Sequence, residues 1–184
     1  MSTKGVQVVI LCEDLQQECF IRHLFRLRGY QKHQLRPEKP RPGCGSGEQF
    51  VREQFPRELA NCRRRRRSHP GTWLCLIVCM DADTQTVEDR VKSLRKACTD
   101  AGVPFRGEGE QVCFVVPKRN IETWLAYLRG EPVDEQAEYR KYACPSDCQR
   151  DVEHLDEMCR QQKLKPVPPP SLSHACEEFK RLQL

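Results

Sequence analysis

The feature that most constrains this chain is a set of short, almost continuous apolar runs, each followed by a helical pattern. Residues 5–12 read Gly-Val-Gln-Val-Val-Ile-Leu-Cys, and residues 72–80 read Thr-Trp-Leu-Cys-Leu-Ile-Val-Cys-Met. A third run, 111–116, is stopped by Pro117. Runs this short and β-branched predict strands buried on both faces. Between them the spacing becomes that of amphipathic helices. Leu15, Cys19, Phe20, Leu24 and Leu27 make a stripe over 15–28, closed by Gly29. Val87, Val91, Leu94 and Cys98 make another over 85–101, closed by Gly102. Residues 48–66 also read as helix, which Pro56 should kink or divide. The polar, Pro-rich stretch 31–47 has room for a short strand near 32–36, and Asn120 can cap a helix running to about Leu128.

Buried strands alternating with helices predict an α/β fold with a parallel sheet flanked by helices. From about 134 the strand signal stops. Residues 149–163 and 171–182 read as helices, separated by Pro166-Val-Pro-Pro-Pro170. The expected organisation is an α/β unit over 1–132 and a helical C-terminal extension, packed on it, over 133–184. The apolar runs are too short and too broken by charge for a transmembrane helix. The start, Met1-Ser2-Thr3-Lys4, shows no signal-peptide core and no lipidation pattern, so a cytoplasmic location is expected.

Charge is unevenly spread. The chain carries +5, and charged residues make up 31% of it, above the usual ~25%. Residues 36–67 hold ten Lys/Arg against four Glu, so the rest of the chain carries −1. The basic stretch ends in five consecutive arginines, Arg63, Arg64, Arg65, Arg66 and Arg67. Such asymmetry favours a polyanionic partner, with a solvated helix end as the alternative.

Carboxylates stand where an open α/β sheet places its chemistry, outside the carboxyl ends of the strands. Glu13 directly follows the first strand, and Asp81 and Asp83 follow the strongest one, as Met80-Asp81-Ala82-Asp83-Thr84. In extended geometry Asp81 and Asp83 would share a face. Crowded carboxylates repel, and a hard divalent cation such as Mg²⁺ or Mn²⁺ relieves that repulsion. One Asp after a strand is also common as a helix cap or turn residue.

These residues carry a resemblance. Leu11-Cys12-Glu13-Asp14 ending one buried strand, and Met80-Asp81-Ala82-Asp83 ending a later one, resemble the Toprim family. That family provides the catalytic domain of topoisomerases, primases and several nucleases. The resemblance spans about 5–117, with an extension toward Trp124, and is nearest to the small and OLD-type nucleases known from phage defence. It implies a Rossmann-like parallel sheet and Mg²⁺-dependent cleavage or transfer at phosphodiester bonds. Where the family usually has Gly after the motif Glu, this chain has Asp14. None of Tyr30, Tyr127, Tyr139 and Tyr142 sits in a recognisable nucleophile context, which argues against a topoisomerase. A primase would need further template- and nucleotide-handling regions, so a hydrolytic nuclease is the expectation that best fits 184 residues. The expected activity is therefore a metal-dependent nuclease acting on DNA or RNA, with Glu13, Asp81 and Asp83 holding one or two ions.

Other residues join with alternatives attached. Glu18 could serve a second metal or act as base, or be a surface Glu on its helix. Lys118 and Arg119 follow the last strand and could contact phosphate, while Glu122 could complete the metal site or orient Lys118. The same residues also read as an ordinary helix start. Trp124 falls on an apolar stripe with Ile121, Leu125 and Leu128 and reads as core. The loop 43–47 lacks the Lys-Ser/Thr of a phosphate-binding loop, and offers Glu48 and Arg52 as site neighbours. Arg52 and Arg63 to Arg67, with Lys118 and Arg119, are the candidate nucleic-acid contacts.

Twelve cysteines allow a structural Zn²⁺ from Cys144, Cys148, His154, Cys159, His174 or Cys176. The spacings match no familiar finger, and Cys159 and Cys176 sit in helical apolar patterns, so Zn²⁺ is disfavoured. The competing function is a non-catalytic Toprim-like binding or assembly subunit. The resemblance further implies a possible ATPase partner, since no ATP site is visible here. Oligomeric state is not legible.

Overall fold

The computed structural model describes residues 7–41, 43 and 45–182. Gly5 and Val6 of the expected first strand, and Cys44 of the glycine-rich loop, lie outside the described residues.

The elements run β1 (Val8–Cys12), α1 (Leu15–Leu27), β2 (Leu35–Glu38), α2 (Gly47–Ser68), β3 (Cys75–Cys79), α3 (Val87–Asp100), β4 (Val112–Val115), α4 (Ile121–Leu128), α5 (Gln149–Arg160) and α6 (Pro170–Lys180). All strand pairings are parallel, in the order β2-β1-β3-β4. The protein is therefore α/β, with a four-stranded parallel sheet flanked by helices. Among the described residues, no helix is long and apolar enough to cross a membrane.

The burial of β1, β3 and β4 on both faces explains their unbroken apolar character. Alternate residues face two cores. Val8, Ile10, Cys12, Cys75, Ile77 and Cys79 join Phe20, Phe25, Trp124, Val152 and Leu172 of α1, α4, α5 and α6. Val9, Leu11, Leu76, Val78 and Met80 join Val51, Phe55, Leu59 and Leu94 of α2 and α3. The strand order accounts for this division. The chain moves from β1 to β2 in one direction and from β2 through β3 to β4 in the other. Right-handed crossovers then put α1 on one face and α2 and α3 on the opposite one. Helices α5 and α6 add their apolar residues to the same core as α1.

Side chains cap three helices. Asp14, Ser46 and Thr86 accept at N-caps from the backbone of Gln17 (2.9 Å), Gln49 (3.1 Å) and Asp89 (3.0 Å). Asn120, the cap expected for α4, stands at the N-cap position without a side-chain bond to the helix backbone; its Oδ1 instead accepts from Thr123 Oγ1 at 3.1 Å.

Four further expectations change. The strand expected near 32–36 begins at Leu35, after a 3-10 turn at Lys32–Gln34, because pairing Val8 with Leu35 sets its register. It carries Pro37, which an edge strand tolerates. Helix α2 is not divided at Pro56. Val51, Phe55, Leu59 and Cys62 are buried on both sides of the proline, and that packing offsets the missing hydrogen bond. The stripe of α1 is rotated. Leu15 and Leu27 are exposed, whereas Gln16, Gln17 and Glu18 are buried among polar partners at the carboxyl edge. Asp83 does not continue an extended strand beside Asp81. It turns with φ +54, a left-handed conformation that Asp tolerates better than most residues.

Candidate functional site

In a sheet of this order the direction of winding reverses between β1 and β3, and the crevice at their carboxyl ends is where such sheets bind ligands. The paired strands end together at Cys12 and Cys79. Glu13 and Asp81 leave the two strand ends side by side. The Asp81 backbone N–H donates to Glu13 Oε1 at 3.1 Å.

Gln17 fastens the pair. One turn into α1 and fully buried, it accepts the Glu13 N–H at Oε1 (3.0 Å) and donates from Nε2 to Asp81 Oδ1 (3.0 Å). The other side of Glu13 is closed by α2. A Cβ placed on Gly47 would lie 2.7 Å from Glu13 Cβ and 2.8 Å from its carbonyl oxygen. Only glycine permits that approach.

Asp83, on the turn after β3, is held by Arg90 of α3 at 3.0 Å, and Arg90 also reaches Glu48 at 3.2 Å. Glu48 in turn pairs with Arg52 at 3.3 Å. Asp14 pairs with Lys141 at 2.9 Å. Glu122 is buried at the start of α4, and its Oε1 has no hydrogen-bond partner.

Several negative charges thus share one crevice, and their protonation records it. Burial, then the charge of Asp83, pushes Glu13 up to about 8, against the Asp81 hydrogen bond and the Arg90 charge. Burial, then the charges of Glu13, Asp14 and Glu122, holds Asp81 well above the usual carboxylate range. Glu122 is also raised, chiefly by burial. The donor set is hard oxygen, of the kind Mg²⁺ or Mn²⁺ takes. Glu13, Asp81 and Asp83 are each also engaged by a protein donor. Among the described residues, no three His, Cys, Asp or Glu side chains stand ready around one point.

The remaining expected residues fall outside this constellation or at its rim. Glu18 is bound by Arg22 (2.8 Å) and Lys39. Lys118 donates to the Gln85 carbonyl, and Arg119 pairs with Glu138 at 3.2 Å. Trp124 is buried and donates to Ser171 Oγ at 2.8 Å, as a core residue does.

The arginine run is at the other end of the molecule. Helix α2 begins at the crevice with Gly47, so Arg63 to Arg67 lie roughly 24–30 Å along its axis at 1.5 Å per residue. Arg63 is not a free cation. It makes a bidentate pair with Glu110 (2.7 Å to each oxygen) and donates to the Pro104 and Phe105 carbonyls. Arg64 bonds Asn61 at 2.8 Å.

The soft ligands do not converge either. Cys144 is exposed beside Ser146, Cys148 is buried, and His154 Nδ1 lies 2.8 Å from the Leu128 carbonyl. Cys159 and Cys176 line a cavity of about 770 Å³ with residues of α1, α5 and α6, and none of Glu13, Asp81 and Asp83 lines it.

No protein-family model, curated protein or solved structure matches this chain.

Sequence reasoning missed Gln17, Arg90 and Lys141. A polar residue on the inward face of α1, one turn after the strand-end Glu, was the only local sign of Gln17. Arg90 and Lys141 gave none, because their roles depend on contacts with distant segments.

Proposed function

We propose that this protein is a divalent-cation-dependent nuclease of the Toprim kind, hydrolysing phosphodiester bonds in DNA or RNA. The observation that carries the reading is the meeting of Glu13 and Asp81 at the reversal of strand order, with the charge of Asp83 reaching Glu13. Glu13, Asp81 and Asp83 are the residues that would hold Mg²⁺ or Mn²⁺, with Glu122 as a neighbouring carboxylate. When bound, the cation supplies charge neutralisation at the phosphoryl oxygen and activation of water.

The chain's own residues prepare that site. Gln17 fixes the Glu13 backbone and the Asp81 carboxylate in one arrangement. Arg90 holds Asp83 and balances its charge. Lys118 stands at the rim, where it donates to the Gln85 carbonyl and, among the described residues, pairs with no carboxylate, so it is available to a phosphate.

The test is a cleavage panel on DNA and RNA, single- and double-stranded, with Mg²⁺, Mn²⁺ and chelator. Cleavage should require the cation and should be lost in Asp81→Asn and Glu13→Gln, with both variants folded. Full activity in either variant, or in chelator, rejects the assignment.

One observation favours the second reading, a non-catalytic Toprim-like subunit that binds nucleic acid or assembles with a partner. The carboxylates are already satisfied by Gln17, Arg90 and backbone N–H groups. For that reading, calorimetry with Mg²⁺ and Mn²⁺ would show no binding. A partner ATPase and a role in phage defence belong to the nuclease proposal through the resemblance alone.

A further inference from the structure

The segment between α4 and α5 has no strand and only one 3-10 turn, at Pro145–Cys148, yet it is tied across the carboxyl edge of the sheet. Arg119, just beyond β4, pairs with Glu138 at 3.2 Å. The Asp134 backbone N–H donates to Tyr139 Oη at 2.8 Å. Tyr142 Oη accepts from Arg129 at 2.6 Å and bonds Asp151 of α5. These contacts deliver Lys141 to the crevice, 127 residues along the chain from the carboxylate it meets. Its Nζ lies 2.9 Å from Asp14 Oδ2, and its charge reaches Glu122 and Asp81.

The cations of the crevice differ in how committed they are. The Arg90 side chain is 8% exposed and bridges Asp83 and Glu48. The Lys141 side chain is 67% exposed and meets one carboxylate at the solvent boundary. An ammonium carries three donors, and Asp14 takes one. A phosphate entering beside Asp81 therefore finds in Lys141 a donor that can turn to it without a buried charge being abandoned.

We propose that Lys141 contacts a backbone phosphate of the nucleic-acid substrate at this crevice. The inference rests on the reading of the crevice as a phosphodiester site, and it adds a residue from outside the expected α/β unit. It also supplies, close to the carboxylates, the local attraction for a polyanion that the distant arginine run cannot give there.

Binding is read by fluorescence anisotropy with a labelled DNA or RNA oligonucleotide, with Ca²⁺ in place of Mg²⁺, across a salt series. Lys141→Gln is expected to weaken binding about three- to tenfold and to lower the slope of log affinity against log salt by roughly 0.9 on duplex or 0.7 on single strands. Lys141→Arg keeps the charge and should retain most of the affinity. Asp14→Asn keeps the helix cap and frees the ammonium, so it should bind at least as tightly as the wild type.

Unchanged affinity and slope in Lys141→Gln overturn the proposal. An equal loss in Asp14→Asn also overturns it, since the ion pair and not a phosphate contact would then be responsible. A wild type that binds none of the oligonucleotides overturns it as well. A wild type that binds with a Lys141-dependent slope but cleaves nothing with Mg²⁺ or Mn²⁺ rejects the nuclease reading and leaves the contact standing.

Discussion

Glu13 is held in the folded protein with a raised pKa, about 8, by burial and by the charge of Asp83. A carboxyl whose pKa rises on folding binds more protons in the folded state between its ordinary value and the raised one. Its contribution to stability is therefore full below the ordinary range and is lost as pH rises toward 8. Asp81 is raised as well and acts in the same direction. The cation-free protein should melt at progressively lower temperature as pH increases from about 4.5 to 8. Glu13→Gln should flatten that dependence. A bound divalent cation should raise the melting temperature most at the alkaline end, since it binds the folded state selectively. A flat melting profile in chelator would mean that the carboxylates do not crowd one another.

Gln17 makes two buried hydrogen bonds that join the pair. Gln17→Leu leaves both partners unsatisfied and should cost about 2 kcal/mol in a denaturant titration. If stability is unchanged, the bridge is not what holds Glu13 beside Asp81. The same logic applies to the neighbouring backbone. Gly47 ends the glycine-rich loop 43–47, which lacks the residues of a phosphate-binding loop, and it lets α2 start against Glu13.

At the scale of elements, the second edge of the sheet is closed by a helix from the far end of the chain. Glu178 of α6 accepts the Phe114 N–H of β4 at 3.0 Å and is clasped by Arg106, whose second nitrogen lies 2.7 Å from Oε1. The helix thereby covers an edge strand that would otherwise present an unpaired N–H. Burial raises the Glu178 carboxyl, but the bonds from Arg106 and Phe114 outweigh it and hold it below the usual range. A depressed carboxylate stabilises above its ordinary pKa, and the benefit disappears as pH falls through the folded value. Glu178→Gln should cost about 3 kcal/mol near pH 7, because Arg106 keeps a buried, uncompensated charge. The difference from wild type should shrink on acidification.

Elements were legible in the sequence to the extent that their signals were local. The apolar runs at β1, β3 and β4 can be seen within a few residues. The rotation of α1 could not. Leu15 and Leu27 fit its stripe by period, but the face that turns inward depends on β1, α5 and the polar groups of the crevice. Pro56 misled for a related reason, since its local cost is offset by packing on both sides.

At the scale of the whole molecule, the basic stretch separates into parts with different duties. Arg63 is a structural residue of the amino edge, bound to Glu110 and two carbonyls, and Arg63→Gln should cost about 2 kcal/mol. The other arginines stand up to about 30 Å from the carboxylates along α2, roughly nine base pairs of duplex at 3.4 Å each. If they guide substrate, neutralising Arg64, Arg66 and Arg67 together should weaken binding of duplexes longer than that span and spare shorter ones. Equal binding at every length would assign them to a solvated helix end.

The sequence by itself determined the order of strands and helices and the strand ends at which carboxylates stand, because both follow from local periodicity. It did not determine that β1 and β3 are neighbours, the fact that sets Glu13 beside Asp81. Nor did it separate Arg63 from Arg64, or bring Lys141 to Asp14. Those outcomes depend on contacts between residues tens to more than a hundred positions apart, and tertiary packing alone decides them.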